Sequence, residues 1–145
     1  MSDKPSNKQA QLDLLNSNAP VFVGLLGGKM IDLDHDKSLA VFEFNVSKDY
    51  CHSVDVVQGG FITSMLDTAM SHAVFAVNDN VVGLSSLEIK TSYLESTRAG
   101  KLRAEGYVVK GGYKTGFLEG RLYNEAGELT ATASSVAKIV RKATD

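Results

Sequence analysis

The chain has one cysteine, Cys51, among 145 residues. No intrachain disulfide can form, a cysteine-based zinc cluster is excluded, and a reducing compartment is expected. A basic stripe is missing as well. Lys and Arg are spread along a chain with a formal net charge of −2, so no face is set up to neutralise a nucleic-acid backbone, and nucleic acid is not an expected partner. The start, MSDKPSNKQAQLDLL, lacks the apolar core behind a basic region that marks a secretory signal, and the expected location is cytoplasmic. Three histidines and the single cysteine are too scattered for a metal site, so no metal and no cofactor are expected.

What is present is a long run nearly free of charge. From Val56 to Asn78 the only formal charge is Asp67, seven residues after the Gly59-Gly60 pair. A membrane span is not the reading: a mid-helix Asp costs about 2.5–3.5 kcal/mol on insertion scales, and Gln58, Thr63, Ser64, Thr68, Ser71 and His72 dilute the apolar character further. A mostly buried helix from Gly59 or Gly60 to Val77, stopped by Asn78-Asp79-Asn80, fits the pattern. Ser64, Asp67, Thr68 and Ser71 fall on one face of it. An ionised carboxylate among Met65, Leu66, Ala69 and Met70 must be solvated by something, and Asp67 is therefore expected to face a cleft.

The length suits one domain spanning 1–145. Residues 1–7 read as frayed and 8–17 as a short helix, with Leu12 and Leu15 at helical spacing. Alternation over Met30–Leu33 and Leu39–Val46 predicts a hairpin. After the helix the period becomes two at Leu87, Ile89, Thr91 and Tyr93, and strands follow near 102–110, 115–124 and 129–140. Short turns at Gly111–Lys114 and Asn124–Gly127 suggest antiparallel hairpins. The expectation is an α+β domain: a strand pair, one long helix, then four strands in a meander, with the helix packed on a curved antiparallel sheet.

Three segments carry a family resemblance: Val57-Gln58-Gly59-Gly60, Leu66-Asp67-Thr68-Ala69, and Ser86-Leu87-Glu88-Ile89-Lys90-Thr91-Ser92-Tyr93-Leu94. Together they resemble the hotdog-fold acyl-CoA thioesterases of the phenylacetate-pathway and hydroxybenzoyl-CoA type. The resemblance implies a hotdog fold, hydrolysis of an acyl-CoA thioester to a carboxylic acid and coenzyme A, and no cofactor beyond the coenzyme A of the substrate. It places Asp67 as general base or nucleophile. The Gly60 N–H becomes the oxyanion donor at the helix start, with Gly59 allowing close approach. Gln58 stands where many relatives have His; it can donate a hydrogen bond to the carbonyl or to the departing sulfur, but it cannot titrate.

Ser86, or Ser85 if the register slips by one, matches a hydroxyl that orients the hydrolytic water. His52 occupies the place of an Asn in relatives, and Ser64, Thr68 and Ser71 are candidate substrate contacts. Each has an ordinary structural reading beside the functional one: a solvated helix carboxylate, a glycine turn, a helix-entry amide, a strand-edge hydroxyl or a surface histidine. Two alternatives stay open, a non-catalytic acyl-thioester-binding protein and a thioesterase acting on acyl-carrier protein. The resemblance also implies a homodimer, or a tetramer built as a dimer of dimers, with Asp67 of one subunit facing Gln58 and Gly60 of the other. Asp67 and Gly60 lie about 10 Å apart along one helix at 1.5 Å per residue, too far to serve one carbonyl.

Overall fold

The computed structural model describes residues 7–143; residues 1–6 of the segment expected to fray lie outside them. Asn7 itself caps helix α1 (Lys8–Ser17), its side chain accepting from the Ala10 N–H at 2.7 Å. A short helix α2 (Val21–Leu25) follows, then strands β1 (Gly28–Asp34) and β2 (Leu39–Val46), a 3-10 turn at Lys48–Tyr50, and the long helix α3 (Gly59–Val77). The chain ends in β3 (Val81–Tyr93), β4 (Gly100–Gly111), β5 (Thr115–Tyr123) and β6 (Leu129–Arg141). Among the described residues no helix is long and apolar enough to cross a membrane.

All six strands form one antiparallel sheet in the order β1-β2-β4-β5-β6-β3. One long helix packed on such a sheet is the hotdog architecture. The expected four-strand meander needs correcting. Residues 112–114 and 124–128 are short links that force β4, β5 and β6 to be neighbours, but β3 lies at the far edge beside β6. Six residues separate Tyr93 from Gly100. Extended, they reach about 20 Å, enough to cross three inter-strand spacings of about 4.8 Å each. On the way they pair with the chain entering α3: Val57 N–H donates to Thr97 O, and Ala99 N–H to Asp55 O, each at 2.8 Å.

The apolar face of α3 explains its place. Ile62, Leu66, Ala69, Met70 and Ala73 are buried against Phe42 and Phe44 of β2, Leu102 and Ala104 of β4, and Leu118 and Leu122 of β5. Each large side chain among them contributes about 1.5–3 kcal/mol relative to exposure. The helix backbone touches the sheet at Gly106, where an added Cβ would lie 2.2 Å from the Ala69 carbonyl. Only glycine permits that approach.

The two sheet edges differ. Along β1, the Asn16 side chain of α1 donates to Met30 O at 2.9 Å and accepts from Met30 N–H at 2.8 Å, so this edge has a partner. Among the described residues no strand lies on the outer side of β3. Val82 and Leu87 of that strand are 61% and 63% exposed.

Candidate active site

Asp67 sits in the middle of α3, half-buried. The Ser86 hydroxyl of β3 donates to its Oδ1 at 2.9 Å, and Ser71, one turn along the helix, approaches the same oxygen at 3.4 Å. It is Ser86 rather than Ser85 that reaches the carboxylate. The β3–β6 register shifts between Ser86 and Glu88, and an extra residue of this kind bends a strand and re-aims its side chains. No described residue bonds Oδ2, so one oxygen of Asp67 is held and the other is open.

Beside the carboxylate lies a cleft of about 400 Å³, with Leu15, Phe22, Phe75 and Leu84 in its apolar wall and Thr68, Ser71 and His72 along α3. Thr68 is only 4% exposed, and its hydroxyl donates to the Ser64 carbonyl at 2.8 Å. Ser64 in turn donates to the Gly60 carbonyl at 3.0 Å. Both hydroxyl protons are engaged within the helix, and Ser64 is not part of the cleft wall. The His72 Nδ1 lies 2.8 Å from Thr68 O. A carbonyl only accepts, so Nδ1 carries the proton and Nε2 is left as an acceptor. Burial pushes the pKa of His72 below the ordinary histidine value, opposed in part by the bond to Thr68. The ring packs edge-on against Phe42 at 4.8 Å.

The other candidates gather at the start of α3. Gln58 is the N-cap, and its Oε1 accepts from the Gly60 N–H at 2.7 Å. The amide that the sequence assigns to an oxyanion is thus bonded to the side chain two residues earlier. Because an N–H must meet the oxygen of the carboxamide, the Gln58 NH₂ group is the outward end, and no described residue bonds it. Gly59 is pinned from β3: Tyr93 OH donates to the Gly59 carbonyl at 2.9 Å and shares a bond with Thr63, which in turn reaches Thr91 at 2.8 Å. A Cβ on Gly59 would meet the Tyr93 hydroxyl at 2.9 Å.

His52 and Gly59 line a separate open cleft of about 540 Å³ together with Tyr93. The His52 Nδ1 shares a hydrogen bond with the Ser53 hydroxyl at 2.9 Å. Cys51 forms a bridge to Val57 at the helix entry.

The fold therefore brings Asp67, Ser71 and Thr68 to one cleft, with Ser86 bonded to Asp67, and Gln58, Gly59, Gly60 and His52 to another place. Sequence reasoning missed the Tyr93–Thr63–Thr91 clamp, although Tyr93 closes the motif strand. It also missed the cleft wall from Leu15 to Phe22, for which no local signal exists. Among the described residues no group of three or more His, Cys, Asp or Glu is placed to hold a metal ion.

Chemically, the first cleft offers a base or nucleophile beside apolar space. The second place offers hydrogen-bond donors at a helix start, where developing negative charge is favoured.

Comparison with known proteins bears on the family and the fold. The thioesterase superfamily matches residues 55–131. A phenylacetic acid degradation-related protein of Ralstonia eutropha is 28% identical, with 86% of this chain and 96% of that one covered and a TM-score of 0.78. The Escherichia coli PaaI protein of the phenylacetic acid degradation operon is 20% identical over 91% of this chain and 93% of its own, with a TM-score of 0.80. A Streptococcus mutans protein whose structure holds acetyl-CoA is 18% identical over 88% and 97%, with a TM-score of 0.75. Among curated proteins none matches.

Proposed function

The chain belongs to the thioesterase superfamily, whose chemistry is thioester hydrolysis, and from that premise we propose that it cleaves acyl-CoA thioesters at a site shared by two copies of the chain. One observation carries the proposal: Asp67 has Oδ1 fixed by Ser86 and Oδ2 open at the side of an apolar cleft. The acetyl-CoA held by the Streptococcus mutans relative supports coenzyme A as the thiol part.

In the reaction, Asp67 takes a proton from water as it attacks the carbonyl carbon, or attacks that carbon itself to give a mixed anhydride that water then opens. Ser86 orients the carboxylate. The oxyanion that forms lies against the Gln58–Gly60 turn of the partner copy, where the Gln58 NH₂ group is the free donor and the Gly60 N–H holds the carboxamide in place. Collapse expels the thiolate of coenzyme A. Gln58 cannot supply a titrating acid, and a thiolate leaving group has little need of one.

Two features support the shared site. Asp67 and the entry turn lie seven residues apart on one helix, and the cleft beside Asp67 does not include the entry turn, nor the cleft beside Gly59 Asp67. The open edge of β3, unlike the edge closed by Asn16, has free ladder groups and exposed Val82 and Leu87 for a second copy to cover.

A second reading is favoured by one fact: the Gly60 N–H is engaged, as it would be in a protein that binds acyl thioesters without cleaving them. Thiol release from a panel of acyl-CoAs, with acyl-carrier-protein thioesters in parallel, separates the readings. Release from acyl-CoA is expected; binding without release of thiol from either series identifies a binder.

A further inference from the structure

We infer that the cleft beside Asp67 is the acyl pocket and that the α1–α2 segment tunes it for uncharged, apolar acyl groups. The inference rests on the hydrolase reading for its reaction and names the substrate class of the same site. The wall comes from three separated parts of the chain: Leu15 and Phe22 from the N-terminal helices, Phe75 from the end of α3, and Leu84 from β3. None of the lining residues is Lys or Arg, and Asp67 is the only acid among them. His72, the other titratable group facing the space, has its pKa pushed below the ordinary histidine value by burial, against the smaller opposing effect of its bond to Thr68. An acyl chain ending in a carboxylate would enter against the Asp67 charge with no cation to meet it. A hydrocarbon chain or ring would meet two phenyl rings and two leucines.

Size points the same way. About 400 Å³ lies at the lower end of the roughly 300–1,000 Å³ typical of small-ligand pockets, which is room for an acyl group and not for the coenzyme with it. Leu15 and Phe22 also precede residues 55–131, the part matched by the superfamily. Half of the apolar wall thus lies outside the stretch that carries Asp67, while Phe75 and Leu84 lie within it.

The test uses the unaltered protein with two thioether analogues that cannot be hydrolysed, S-hexyl-CoA and S-(3-carboxypropyl)-CoA, with coenzyme A as reference, measured by calorimetry. S-hexyl-CoA is expected to bind about tenfold or more tighter than coenzyme A, in line with what a few methylenes contribute in an apolar pocket. The carboxylated analogue should gain nothing. Asp67→Asn should narrow the gap between the two analogues, and Leu15→Trp should weaken S-hexyl-CoA relative to coenzyme A. If the hexyl chain adds no affinity, or if the carboxylated analogue binds as well as the hexyl one, the inference is overturned whatever the enzyme hydrolyses. If binding follows the expected order but no acyl-CoA releases thiol, the pocket stands and the hydrolase reading falls.

Discussion

The two ends of the polar story on α3 are built in opposite ways. At the helix start, Gln58, Gly59 and Gly60 are tied into backbone geometry: a side chain caps an amide, and a tyrosine clamps a carbonyl. In the middle, Asp67 is tied on one oxygen only and opens onto apolar space. The entry turn of Gln58 to Gly60 offers donors and carries no carboxylate of its own, whereas the other cleft centres on the Asp67 carboxylate. Each half lacks what the other holds, and that complementarity is what the proposed shared site draws on.

The contrast breaks most severely at Asp67. Asp67→Asn keeps shape and hydrogen-bond reach but loses the base, and kcat is expected to fall by about 10²–10⁴-fold, with the circular dichroism spectrum and oligomeric state unchanged. Near-normal turnover would remove Asp67 from the mechanism. Next comes Gln58→Glu. A carboxylate still caps the Gly60 N–H but offers no N–H of its own, so kcat should drop about 10²–10³-fold while the melting temperature holds. Gln58→Ala sharpens the point, because it frees the Gly60 amide. If that amide were the oxyanion donor, Gln58→Ala would turn over as well as the parent or better.

Ser86→Ala has a smaller expected effect. Losing a hydrogen bond to a charged group costs about 1.5–3 kcal/mol, so a loss in kcat of about tenfold or more should appear in steady-state kinetics with KM little changed. An unchanged kcat would make Ser86 an ordinary strand hydroxyl.

The smallest effect is on stability and concerns His72. Its folded pKa is lowered, so the unfolded chain takes up the proton first. Stability is then full above the ordinary histidine value of about 6.5 and falls as pH drops through and below it, by at most about 1.4 kcal/mol per pH unit. Urea midpoints between pH 7.5 and 5 should show this slope, and His72→Gln should flatten it. The lowered pKa of Asp32, caused chiefly by its bond to Lys8, acts in the same direction only below about pH 4, outside that window.

Much of the fold could be read from local pattern. The bounds of α3 follow from a run with one charge, a glycine pair at its start and an Asn-Asp-Asn stop. Strands β5 and β6 follow from alternation between short turns. The position of β3 could not be read this way, because alternation reports which face is buried and is silent on which strand lies alongside. Asp67 stands out because a charge in an apolar run has to be explained, and Ser86 because of its place in the motif strand. The engagement of the Gly60 amide by Gln58 depends on one side-chain rotamer. The cleft wall joins Leu15 to Phe75 across sixty residues, and only the folded chain makes that junction.

The shared site is tested most directly by mixing. Asp67→Asn and Gln58→Glu subunits, each inactive alone, are unfolded and refolded together, and formation of mixed dimers is verified by mass spectrometry of the intact species. In a two-fold dimer each mixed pair carries one site with both lesions and one with neither, so random pairing should restore about a quarter of the parent activity. Mixed dimers that form and remain inactive would contradict the account.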